Sequence, residues 1–182
     1  YRAALDTFHS CQKKLSKEQA KRLINSPIYK DIKELGSIFE KLVKRLQENT
    51  ESIEFTISPH GACFLQKATE DALFVKTSSS LSIPLTWENT SAEVLVMLLD
   101  KTKLGKDYPL KTAKFLLAHE IADVDKYLIE AFQGKDKEKA QKLYIESIRK
   151  EDISHEEIVV YNKKIMTHDE MKALQNFALQ SH

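Results

Sequence analysis

The stretch from Tyr108 to Gln133, YPLKTAKFLLAHEIADVDKYLIEAFQ, constrains the fold more than any other part of the chain. Pro109 suits the first turn of a helix, where its missing N–H had no partner to lose. Gly134 suits the left-handed position just past the end. Between them Leu110, Ala113, Leu117, Ile121, Val124, Leu128 and Ala131 recur at three and four residues, the spacing of one helical face. Leu116, Ala118, Ala122 and Ile129 widen the apolar surface beyond a single stripe. The pattern predicts one long, buried helix over 108–133 as the central element of the core.

The period changes at Glu51. Ile53, Phe55 and Ile57 alternate with polar residues, as in a half-buried strand. Pro59-His60-Gly61 reads as a turn, and Ala62 to Lys67 as a returning strand. Leu73-Phe74-Val75 supplies a third strand, and Leu81, Ile83, Leu85 and Trp87 a fourth. Connections this short join antiparallel neighbours, because parallel strands need a long crossover. Residues 52–88 therefore read as a four-stranded antiparallel meander with Ile53, Phe55 and Ile57 turned toward helices. Pro84 cannot donate to a ladder, which puts the last strand at an edge.

Around the meander the sequence is helical. Residues 2–14 form one helix, and Ser16-Lys-Glu-Gln19 is a capping box that restarts it as far as Ile24. Ser26-Pro27 opens a third helix carrying Ile28, Ile32, Leu35, Phe39, Leu42 and Leu46. Thr90-Ser-Ala-Glu93 has the form of a second capping box, before Val94, Leu95, Met97 and Leu98. Lys101 to Asp107 reads as a loop and Lys135 to Lys150 as an amphipathic helix. Ser154-His-Glu-Glu157 has the form of a cap, yet Ile158-Val-Val-Tyr161 is β-branched and aromatic. A short hairpin near 157–166, turning at Asn162-Lys163, is the preferred reading. Thr167-His-Asp-Glu170 caps a last helix to about Leu179. The expected fold is α+β and predominantly helical, a single domain over 1–182. Its parts are a helical 1–50, the meander at 52–88 packed between N-terminal and C-terminal helices, and a mainly helical 90–182.

Composition narrows the function classes. Four glycines in 182 residues leave no phosphate-binding loop, and no CxxC pair or GxSxG is present. No apolar run approaches the ~20 residues of a membrane span. The net charge is +1, with eleven Lys/Arg against six Asp/Glu in residues 1–50. Lys13, Lys14, Lys17, Lys21 and Arg22 could face a phosphate backbone or an anionic membrane. Without interleaved exposed aromatics a solvated face is the plainer reading, and no nucleic-acid partner is expected. Two cysteines make no disulfide framework and point to a reducing, cytoplasmic compartment. The chain starts at Tyr1 rather than Met and reads as a piece of a longer polypeptide.

Three stretches invite chemistry. His119-Glu120-Ile-Ala-Asp123 resembles the HExxH signature of zinc peptidases, with Asp in place of the second His. That resemblance implies His119 and Asp123 as metal ligands, Glu120 as the base and an acid such as Glu146 as a third ligand. On one continuous helix, however, His119, Asp123, Lys126 and Glu130 project about 180° from the apolar arc. A lysine there would repel the cation, so a solvated face is the plainer reading, and neither metal nor other cofactor is expected. Cys63, three residues after His60, suggests a thiol nucleophile with His60, His119 or His155 as base, against the commoner buried strand cysteine. Finally, Tyr108–Ala113 with Val124–Glu130 resembles one ankyrin unit. Its halves stand three residues too far apart and no second copy exists, so no repeat array is expected.

The function expected is that of a non-enzymatic protein-interaction or regulatory module of a larger intracellular protein. Its partner would be another protein, added as a strand at the edge marked by Ile83, Leu85 and Trp87. The Lys/Ile-rich, Gly-poor composition resembles that of effectors secreted by intracellular bacteria, which would place it in a host cytosol. A hydrolase is the alternative, through His119, Glu120 and Asp123 or through Cys63.

Overall fold

The computed structural model describes residues 2–49, 53–57, 60–121, 123–149, 154 and 157–180. Of the features read above, Tyr1, Glu51, Ser52, Pro59, Ala122, Lys150, His155 and Glu156 lie outside the described residues. The fold is α+β, with a four-stranded antiparallel sheet and a separate two-stranded hairpin among its helices. Contacts divide the chain into two compact units, Tyr1–Leu104 and Gly105–His182.

In the first unit, helices α1 (Arg2–Lys13), α2 (Lys17–Asn25) and α3 (Pro27–Glu48) precede the sheet. Both halves of the Ser16 capping box are present: Ser16 Oγ accepts from the Gln19 N–H, and Gln19 Oε1 from the Ser16 N–H. Ser26 caps α3 through the Tyr29 N–H, with Pro27 in the first turn. The apolar stripe of α3 is covered unevenly. Leu42 and Leu46 are fully buried, whereas Ile28, on the same face, is 65% exposed.

Strands β1 (Glu54–Ile57), β2 (Gly61–Ala68), β3 (Ala72–Thr77) and β4 (Ser82–Thr86) follow in spatial order. Alternation sorts them by face. Phe55, Cys63, Leu65, Leu73 and Val75 are buried on the inner side, where α3 lies along β2. Gln47 Nε2 donates to the Ala68 carbonyl at 3.0 Å and ties the end of α3 to that strand. The bond from the Thr77 N–H to the Leu81 carbonyl, 2.9 Å, sets the phase of the β3–β4 ladder. Counting in twos, Phe74 and Pro84 form a non-bonded pair, so the proline nitrogen faces the open edge, where no ladder donor is lost. Beyond β4, Trp87–Asn89 forms a 3-10 turn, then α4 (Ala92–Lys101) buries Val94, Leu95, Leu98 and Leu99.

The cap of α4 falls one residue later than the sequence suggested. Ser91 Oγ accepts from the Val94 N–H, while the Thr90 hydroxyl donates to the Thr86 carbonyl and closes the 3-10 turn. The Thr90 hydroxyl is drawn back to Thr86, and Ser91, one residue nearer the helix, presents its hydroxyl to the Val94 N–H.

The second unit departs most from expectation. Residues 104–107 form a single helical turn, α5 (Leu104–Asp107), where a loop was expected; it straddles the unit boundary. The long central helix over 108–133 does not exist as one element. It is two helices, α6 (Pro109–Leu117) and α7 (Asp125–Phe132), packed against each other. A 26-residue helix would be ~39 Å long, more than the ~30 Å of a small domain, so one end would lack cover. Folding back buries both apolar ends in one core: Leu110, Phe115 and Leu116 from α6, with Val124, Leu128 and Phe132 around α7. Leu117 and Ile121, central in the predicted arc, are only half-buried because the break resets the phase.

Helix α8 (Lys137–Tyr144) packs on α7 and runs into a π turn, Ile145–Arg149. Strands β5 (Ile158–Tyr161) and β6 (Lys164–Thr167) form the expected hairpin. Asn162 and Lys163 both have positive φ, 48° and 60°, as a type I′ turn requires. Helix α9 (His168–Gln180) closes the unit behind an intact capping box between Thr167 and Glu170.

Gly105 measures how tightly this unit is packed. A Cβ at that position would run into the buried Tyr127 ring on α7. Gly105→Ala is expected to destabilise by about 1–3 kcal/mol through overpacking. Equilibrium urea unfolding checks this; an unchanged midpoint would show that Tyr127 moves aside freely.

Candidate functional site

The His119–Asp123 stretch lies in the reversal between α6 and α7 rather than on a helix. Its backbone explains why. The Ile121 N–H donates to the Leu116 carbonyl and the Glu120 N–H to the Leu117 carbonyl, both 3.0 Å. With Glu120 at φ +59°, this is a Schellman ending, in which Glu120 occupies the left-handed position usually given to glycine. His119 Nδ1 is 2.8 Å from the Phe115 carbonyl, and its ring rests on the Phe115 ring with centroids 4.5 Å apart. His119, Glu120 and Asp123 are exposed, and so is Glu146 in the π turn. The one-turn spacing that would aim two ligands at one metal is gone with the helix. Among the described residues no group of three His, Cys, Asp or Glu is placed to hold a metal ion.

The thiol pair separates in a similar way. Cys63 is fully buried on the inner face of the sheet, its Sγ 3.5 Å from the Gly61 carbonyl, while His60 is exposed in the turn before β2. A nucleophilic thiol needs a base within hydrogen-bond reach and access for substrate. This thiol faces a carbonyl instead.

Ile83 and Leu85 are half-buried on the inner side of β4, and Trp87 is half-buried in the 3-10 turn that follows it. Trp87 is committed internally: its indole N–H donates to the Thr69 carbonyl at 2.9 Å, and its ring meets Phe39 edge-on with centroids 5.0 Å apart. Pro84 removes the middle outward donor of β4, which weakens that edge as a template for an added strand.

In the second unit the polar groups converge where α8, the π turn, the hairpin and α9 meet. Arg149 Nη1 donates to both oxygens of Glu170, at 2.8 and 3.1 Å. Glu170 also accepts from the Thr167 N–H at 2.8 Å. That backbone bond, then the Arg149 guanidinium, holds the Glu170 carboxyl below its usual range. Burial, then the negative charge of Asp125, pushes the Tyr144 phenol up, while Arg149 pulls it partly back. The Asp125 carboxyl is itself raised by partial burial and by its neighbour Asp123. The Tyr144 hydroxyl reaches the Ile165 carbonyl at 3.4 Å and Gln141 Nε2 the Ile158 carbonyl at 2.8 Å. These bonds rivet the hairpin to the helices.

What the sequence reading passed over is the outer face of the sheet. Phe64 on β2 is 45% exposed and Phe74 on β3 36% exposed, on the two middle strands. Lys76 stands directly across from Phe64, and Lys67 and Pro84 across from Phe74. A bulge between Leu65 and Lys67 turns Gln66 and Lys67 both outward, and Gln66 bonds Ser82 on that face at 2.9 Å. The signal was present: Cys63-Phe64-Leu65 and Leu73-Phe74-Val75 are apolar at both parities, so a sheet covered on one face must leave apolar side chains on the other. Comparison with known proteins yields no match: no family model, no curated protein and no solved structure is similar to the chain.

Two outcomes follow from the reversal and the rivet. Glu120→Gly removes a side chain from a left-handed position and should stabilise by roughly 0.5–1 kcal/mol. His119→Ala and Asp123→Ala should stay within about 1 kcal/mol of the parent, with chelators inert. Thermal unfolding of the three variants, with and without chelator, checks this; a metal site would reverse all three results. Glu170 has a lowered folded pKa, so its contribution is complete above the ordinary value of 4.5 and is lost as pH falls through the lower folded value. Glu170→Gln should therefore flatten the acid limb of the stability curve.

Proposed function

We propose that this chain is a non-catalytic protein-interaction module and that a protein partner docks on the outer face of the sheet. One observation carries the reading: two phenylalanines stay exposed on the same face of the two middle strands of a four-stranded sheet, offset along the strands. Sequestering what they still show, roughly 150 Å², is worth about 4 kcal/mol at ~25 cal/mol per Å². That is half of what a micromolar complex needs, so the flanking Lys67, Lys76, Gln66 and Ser82 would have to add polar contacts. The thiol and His–Glu–Asp alternatives gain no support from the placement of their residues. A larger intracellular parent protein, in a reducing compartment and among bacterial effectors delivered to a host cytosol, is the setting we propose for it.

Placing a photo-crosslinking phenylalanine analogue at position 64 or 74 should capture a protein from extract of the native cell. The same analogue at Lys139, an exposed site on α8, should not. Phe64→Thr with Phe74→Thr should abolish complex formation while shifting stability by less than about 1 kcal/mol, since threonine suits a strand. Equal capture at position 139, or unfolding of the double variant, would sink the proposal.

A further inference from the structure

We infer that the corner formed by α2 and its two junctions is a docking surface for an anionic lipid bilayer. Residues 13–30 carry six Lys/Arg against one acid, Glu18, a local +5 in a chain whose whole net charge is +1. Lys13, Lys14, Lys17, Lys21, Arg22 and Lys30 are all exposed, and α2 buries none of its residues. Glu18 is spent on Arg22 at 2.7 Å, which leaves the lysines to dominate the field.

Among these cations stand apolar side chains that the unit leaves partly exposed. Leu15 at the α1–α2 turn and Ile24 at the end of α2 are each 38% exposed, and Ile28 in the first turn of α3 is 65% exposed. At ~100° per residue, Lys17, Lys21 and Ile24 share an arc of about 60° on α2. Ile28 continues the α3 stripe that Leu42 and Leu46 bury at the other end.

Basic charge alone, or a few apolar residues alone, holds a protein only weakly on a membrane; the two together make a stable peripheral contact. A nucleic-acid backbone matches the charge but would leave three aliphatic side chains in water. The one aromatic ring in 13–30, Tyr29, is buried against Phe8 and unavailable for base stacking. A bilayer takes both parts: lysines at the headgroups, Leu15, Ile24 and Ile28 at the acyl boundary.

The test is co-sedimentation of the whole chain with vesicles of phosphatidylcholine, with and without about 30% phosphatidylserine, at low and high salt. Binding is expected only with phosphatidylserine and should be released by high salt. At about fivefold per lysine, Lys17→Glu with Lys21→Glu should weaken binding by at least twentyfold. Lys13→Glu with Lys14→Glu, outside α2, repeats the test should the first pair unfold that helix. Ile24→Ser with Ile28→Ser should weaken binding severalfold while the chain stays folded at the assay temperature. Equal binding to neutral vesicles, indifference to both charge reversals or to the isoleucine changes, or tighter binding to a single-stranded oligonucleotide at the same salt would each overturn the inference.

Discussion

A helix is stable in water only over the length for which something covers its apolar face, and helix length against core depth shapes both units of this chain. In the second unit, 26 residues of helical periodicity exceed the depth of a core built from 78 residues. The chain answers with a reversal. Two backbone bonds at Glu120 and Ile121 end α6, and α7 returns alongside it. Everything downstream uses that return: α8 packs on α7, and β6 of the hairpin does as well. In the first unit the same excess is left standing. The 22-residue α3 outruns its cover, so Leu46 is sealed while Ile28 stays in water.

Uncovered apolar surface costs solubility unless it has a use, and part of it is gathered in two places. Phe64 and Phe74 sit together on the middle strands, flanked by Lys67 and Lys76, a composition suited to the centre of a protein interface. Leu15, Ile24 and Ile28 sit among lysines on the helical corner, a composition suited to a charged bilayer. By contrast, three groups with chemical potential are engaged internally. Trp87 holds the end of the sheet, Cys63 faces a carbonyl, and Arg149 clamps Glu170 across the base of the hairpin.

Glu120 shows how a motif misleads when its scaffold is assumed. Read on a helix, His119 and Asp123 stand one turn apart as ligands, with Glu120 beside them as the base. In the fold the glutamate is the left-handed residue that ends a helix, a role set by backbone hydrogen bonds and indifferent to carboxylate chemistry. Two acids downstream, Asp123 and Asp125, then flank the start of α7, where the helix dipole favours negative charge although partial burial of Asp125 opposes it.

Local pattern alone determined a large part of this architecture. The alternation at Ile53, Phe55 and Ile57, the short turns between strands and Pro84 specified the meander and its edge. The serine and threonine caps at Ser16, Ser26 and Thr167 and the Asn162-Lys163 turn specified boundaries, because each depends only on residues within one turn of the chain. Tertiary structure decided what local pattern leaves degenerate. Apolar spacing at three and four residues is the same for one long helix and for two that fold back, so only the depth of the core could choose between them at Glu120. Thr90 and Ser91 are equally good caps by residue type, and the backbone path out of the 3-10 turn places Ser91 at the start of the helix. Apolar residues at both parities of β2 and β3 allow either face inward. The side that α3 covers decided that Cys63 and Leu65 go in and Phe64 and Phe74 stay out.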